Sequence, residues 1–238
     1  MNNRMTGIVA ASPSFNNAAS PYTQDDIARL TDLVRYRTKE AVEAFIAEKG
    51  DAVVHLRDKD GKSMIQHAVE TGRTAVIDIL MQHGANVDAP DNNGMTPLMS
   101  ASLRGFTKMV KFLKERGANI EAQDKTGMTP LMHAAYHSAK RNETPMMSTR
   151  KQDTISYLLS QGASLDAEDS AGRNAEERAE RGGNKDALRL LTDERKRRDA
   201  LKAAQQKEMR DTVELLRTGT TGAISAPRTA SFKRPPQI

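Results

Sequence analysis

Apolar residues recur along this chain in short blocks with the three-and-four spacing of amphipathic helices, each block cut by a glycine. Three blocks align residue by residue: AVIDILMQHG at 75–84, KMVKFLKERG at 108–117 and TISYLLSQG at 154–162. One column of the alignment holds Ile77, Val110 and Ile155, a second Ile79, Phe112 and Tyr157, a third Leu80, Leu113 and Leu158. The glycines that close them, Gly84, Gly117 and Gly162, are C-terminal stop signals for a helix. Ahead of these blocks stand shorter apolar runs, LMSAS and LMHAA, whose small residues predict helices that approach their neighbours closely. Upstream, Ile27, Leu30, Leu33 and Val34 form one helical stripe and Val42, Phe45 and Ile46 another. Downstream, residues 192–217 lack Gly and Pro and carry a thin stripe of Leu201, Met209, Val213 and Leu216, which predicts one further helix.

The pattern is periodic. The hexapeptide GMTPLM occurs at 94–99 and again at 127–132, 33 residues apart, and Gly61, Gly72 and Gly84 recur at the same period. Each period opens with Asp and a turn: DKDG, DNNG, DKTG and DSAG, from Asp58, Asp91, Asp124 and Asp169. Asp initiates such turns through side-chain bonds to the backbone, and Gly accepts a positive φ. Thr-Pro follows at 96–97 and 129–130, a helix cap and a first helical residue. Between Gly117 and Gly162 the period lengthens by 12 residues.

Turn, helix, helix and Gly at this period, with the TPL tripeptide and the GAN or GAS exit, resemble the ankyrin repeat. The resemblance implies an all-α solenoid. The expected organisation is an N-terminal segment 1–22 without structure, a repeat domain 23–191, a basic helix 192–217 and an unstructured tail 218–238. Within the domain we expect an N-terminal cap 23–57, repeats 58–90, 91–123 and 124–168, and a C-terminal cap 169–191. The third repeat would carry an insert at 138–149, read as a loop that exposes Pro145, Met146 and Met147. Where the family usually has His after TPL, this chain has Gln66, Met99 and Met132, so looser turns are expected.

Composition fits a thin, elongated core: 37% hydrophobic and 4% aromatic residues in 238, with no Trp. The absence of Cys excludes disulfides and thiolate metal sites. No apolar run reaches the roughly 18 residues of a membrane span, and the N-terminus lacks a secretory core. We therefore expect a cytoplasmic protein, with non-Sec export left open. The net charge of +5 is confined to the C-terminal segment: residues 1–191 hold 25 basic and 25 acidic residues, residues 192–238 hold 11 and 6.

Candidate chemistry is sparse. His133 and His137 share a helix face, but Ala134 stands where a zincin carries Glu, and His67 lies two repeats away. Ser100 and His133 are equivalent in adjacent repeats, with no acid expected to orient the His and no oxyanion donors. His83, at a helix end, suits the dipole. No catalytic residue, metal site or cofactor is expected, and the reading is non-enzymatic.

The resemblance also implies a concave groove built from turn tips and first helices, where family members commonly bind a partner protein. Matching positions are Lys59, Asp60, Lys62 and Glu70 in the first repeat, Asn92, Asn93, Met95, Leu103 and Arg104 in the second, and Lys125, Met128, Tyr136 and His137 in the third. Met95, Leu103, Met128 and Tyr136 would form an exposed apolar patch. The 138–149 insert is a second candidate contact. An alternative reading gives nucleic acid or an anionic surface to Arg195, Lys196, Arg197 and Arg198. Ser231, in RTAS, is a candidate kinase site.

Overall fold

The computed structural model describes residues 21–136 and 145–218; of residues 145–149 and 218 it describes the backbone alone. The chain divides into two compact units, Met1–Thr192 and Asp193–Ile238. The described residues form ten α-helices and no named strand. The helices are α1 (Gln24–Tyr36), α2 (Lys39–Lys49), α3 (Met64–Glu70), α4 (Thr74–Gln82), α5 (Pro97–Leu103), α6 (Thr107–Glu115), α7 (Pro130–Ala135), α8 (Pro145–Ser160), α9 (Ala175–Arg181) and α10 (Lys185–Thr218). A 3-10 turn, Asp51–His55, follows α2.

The odd-numbered helices through α9 form a continuous inner row, each packed on the next. From α3 onward they are short: each starts at a side-chain cap, and α3, α5 and α9 stop at a glycine turn. Ser63, Thr96, Thr129 and Asn174 accept the backbone N–H three residues on, and Pro97 and Pro130 take the first helical position. Ala68, Ala101, Ala134 and Ala135 are fully buried, and these small side chains allow the close packing of α3, α5 and α7. Helices α4, α6 and α8 lie behind and complete the core, to which the inner row itself contributes Met64, Ile65, Leu98 and Leu131. Ile77, Leu80, Val110, Leu113, Ile155 and Leu158 are all fully buried, so two of the three aligned columns are core; in the other, Ile79 is buried while Phe112 and Tyr157 are half-buried.

The segment 138–149 is not one loop, as expected: α8 begins at Pro145, so its second part extends a helix, while residues 137–144 lie outside the described residues. Helix α10 is continuous from Lys185 to Thr218. Its apolar stripe is exposed, from 50% at Leu201 to 76% at Leu216. Of the two ends expected to lack structure, residues 1–20 and 219–238, with Ser231, lie outside the described residues; Tyr22 instead packs on the core and its hydroxyl donates to Lys49 O at 3.1 Å, and Thr218 ends α10.

Candidate interaction surface

The turns that edge the inner row are built by one repeated device. In each repeat Oδ1 of the opening Asp accepts two backbone N–H bonds, at the third and fifth residues of the turn. For Asp58 these come from Asp60 and Lys62 at 2.9 and 2.8 Å, and for Asp124 from Thr126 and Met128 at 2.8 and 3.0 Å. Asp91 and Asp169 do the same. The turns then bond to one another: Asn92 N donates to Asp60 O, Lys125 N to Asn93 O and Ser170 N to Thr126 O, at 3.2, 2.9 and 2.9 Å.

The second carboxylate oxygen faces the fourth residue of the inner helix or its equivalent. His133 Nε2 lies 2.8 Å from Asp124 Oδ2, and Arg178 pairs with Asp169. His67 Nε2 is 3.0 Å from Asp58 Oδ2 without hydrogen-bond alignment. Arg35 Nη1 sits 3.2 Å from His67 Nδ1, and a guanidinium only donates. His67 is therefore neutral, with its proton on Nε2. Burial lowers its pKa, and Arg35 and Lys62 add to the effect against Asp58 and Glu70.

This corrects two sequence expectations. An acid does orient His133, but Thr129, Pro130, Leu131, Met132 and Ala134 around it are buried, and the pair braces a turn. The turns are also not loose where His is missing. Gln66 Nε2 donates to Met95 O at 2.6 Å, joining two repeats, while Met99 and Met132 are core residues. Burial of Asp124 by itself would raise its pKa; the His133 side chain, the Thr126 hydroxyl and two backbone N–H groups outweigh it and hold the carboxyl below the usual range. His83, the C-cap of α4, lies 2.8 Å from Asp51 Oδ1.

A second network closes the N-terminal end of the inner face. Glu70, with a side chain 10% exposed, accepts from Lys62 at 2.8 Å, Arg104 at 3.0 Å and Arg35 at 3.2 Å. Burial works to raise the Glu70 pKa, and Lys62 and Arg104 overcome it, so the shift is downward. Three expected contact residues, Lys62, Glu70 and Arg104, are thus bonded to one another across two repeats. No sequence signal marks this cluster beyond the alternation of charges.

Of the remaining expected residues, Lys59, Asp60, Asn92, Asn93 and Lys125 are exposed at turn tips, and Met95, Leu103 and Tyr136 are half-buried. Met128 is a correction: it is 8% exposed and belongs to the core cluster, because its turn lies under the next one. Its counterpart Met95 remains half-buried, so identical hexapeptides do not give identical surfaces. His137 lies outside the described residues. At the helix-turn end a cleft of about 870 Å³ is lined by α4, α6 and α8, among them Thr74, Phe106, Lys108, Met109, Arg150 and Asp153. Among the described residues no group of three or more His, Asp or Glu could hold a metal ion, and no helix is long and apolar enough to cross a membrane. In the Arg195–Arg198 cluster, Glu194 binds Arg197 at 2.7 Å and Arg198 at 2.8 Å.

A family model for ankyrin repeats in three copies matches residues 30–124, and one for a single ankyrin repeat matches residues 126–170. Together they cover more than half of the chain. The chain belongs to the ankyrin-repeat family. The three-copy match starts within α1, so the α1–α2 pair takes the place of a repeat although it lacks the Asp turn. The single-repeat match spans the insert. No curated protein matches the chain. Ankyrin repeats are in general modules of protein–protein interaction, and their members are typically non-enzymatic scaffolds.

Proposed function

We propose that this protein is a non-enzymatic adaptor that binds a partner protein on the inner face of the repeat stack. One observation carries the reading. The opening Asp of each turn and Glu70 are consumed internally, by turn amides, His133, Arg178 and the Glu70 cluster, and Asp60 stays exposed at a tip, while Met95 and Leu103 stand half-buried outside the core cluster. Half-exposed apolar side chains on an otherwise bonded frame are what a partner would cover. Side chains fixed by such a frame lose little entropy on binding, which favours affinity.

Site-specific photocrosslinking tests this reading. A crosslinker at Leu103 should capture a protein from lysate of the source cells; one at the exposed Ser160, on the outer row, should not. Equal capture from both positions, or capture from Ser160 alone, would refute groove binding. The basic cluster can be tested in parallel, since binding to phosphate weakens steeply with salt. Pairing of Arg197 and Arg198 with Glu194 favours a solvated, self-compensated helix there.

A further inference from the structure

Glu70, Leu103 and Arg181 end α3, α5 and α9, and Tyr136, the C-cap of α7, holds the equivalent place in the third repeat. Glu70 is closed off by three cations. Leu103 and Tyr136 are half-buried and apolar. Arg181 is exposed and has no ion pair or hydrogen bond to another described residue. The face therefore passes from a neutralised end, through an apolar centre, to a cationic end.

Arg173, Arg178 and Arg181 stand on the capping repeat, and Arg173 and Arg178 share one carboxylate, the buried Asp169. Arg181 is left exposed, without an acid partner among the described residues. Glu177 accepts from the Asn174 backbone N–H at 3.0 Å, at the N-terminal end of α9. Glu176 and Glu180 occupy positions that are buried as Leu98 and Ser102, or Leu131 and Ala135, in the two preceding repeats. They therefore cover the end of the stack and do not line its inner face.

We propose that the occupant of the inner face is a partner protein segment that places a bulky apolar residue over Leu103 and Tyr136 and a carboxylate at Arg181. The assignment rests on the groove reading above and adds the chemistry of the partner. Packed helices stand about 8–10 Å apart, and an extended chain advances about 3.3 Å per residue. The carboxylate therefore falls about three residues from the apolar anchor.

The test uses the full-length chain and fluorescein-labelled 12-residue peptides. Each carries a Leu-Phe pair in a Gly/Ser background, with Asp, Asn or Lys placed one to six residues away, and binding is read by anisotropy. Asp peptides should bind about fivefold more tightly than Asn peptides, the size expected of an exposed ion pair, with the optimum at a spacing of about three. Arg181→Glu should remove this preference and favour Lys peptides, with circular dichroism unchanged. Leu103→Ser should weaken all peptides alike. Absence of an Asp preference, a preference unchanged by Arg181→Glu, or no binding by any peptide overturns the assignment. Photocrosslinking from Leu103 decides the groove reading separately, since it makes no assumption about charge.

Discussion

The opening Asp of each repeat is a single side chain that organises a turn, and Asp124 shows the device complete. Its carboxylate holds two backbone N–H groups and His133. Charge-assisted bonds of this kind contribute more than neutral ones, and deleting the acceptor strands buried donors. Asp124→Ala should destabilise the protein by about 2–3 kcal/mol, read as a lower urea midpoint at constant m-value. In contrast, Asp60→Ala, at an exposed tip, should be within about 0.5 kcal/mol of wild type. The same residues set the pH response. His67 has a lowered pKa in the fold, so the unfolded chain takes up its proton first, and stability falls once pH drops below about 6.5. Asp124, Asp169 and Glu70 are also lowered; their contribution is complete above about pH 5 and is lost on further acidification. A urea series across pH should show both steps. In His67→Gln the upper step should vanish and the lower one remain; persistence of the upper step would remove His67 as its source.

At the scale of the element, the turns pack on one another more tightly than the helices require. Gly94 has φ +81°, and a Cβ there would lie 2.8 Å from Lys125 N. Gly84 has φ +89° and nothing within 4 Å of its would-be Cβ. Both glycines look alike in the sequence, yet they act differently. Gly84→Ala should cost about 1 kcal/mol for the left-handed conformation alone. Gly94→Ala adds a backbone clash that breaks the turn-to-turn bond, and should cost at least about 2 kcal/mol. Thermal melts of the two variants decide the point, and equal losses would mean that the turn contact is dispensable. Helix α8 shows a different element-level effect. It begins within the inserted residues, and Lys151, buried to 1% exposure, donates to Tyr136 O at 3.0 Å and so ties α8 to the end of α7. The sequence showed a 12-residue excess but gave no sign of how a helix would absorb part of it.

For the whole molecule, the repeat unit carries its own core, from Ile27 to Leu191. Leu201, Met209, Val213, Leu215 and Leu216 are each at least half exposed, so replacing them with Gln removes little buried apolar area. The substituted chain should melt within a few degrees of wild type; a large drop in midpoint would contradict this. A solenoid of this kind draws its stability from nearest-neighbour contacts, so its urea transition should respond to Asp124→Ala throughout the stack only if the repeats unfold together.

The sequence alone determined the repeat, most of its helices and the apolar columns of its core. These depend on local spacing: an Asp turn, a cap, a 3.6-residue apolar period and a glycine stop act within one repeat and can be read there. Tertiary structure decided the surface. Met95 and Met128 sit in identical hexapeptides, but burial depends on the neighbouring turn, and only Met95 keeps an open side. Glu70 is bound by Arg35, from a helix 35 positions earlier, a partner that its own repeat does not contain. His133 seemed to lack an acid because its partner, Asp124, precedes it by nine residues and meets it only when the turn folds back. Charge pairing across repeats, which buries Glu70 among three cations and leaves Arg181 exposed, involves side chains from separate repeats, and no single repeat contains it.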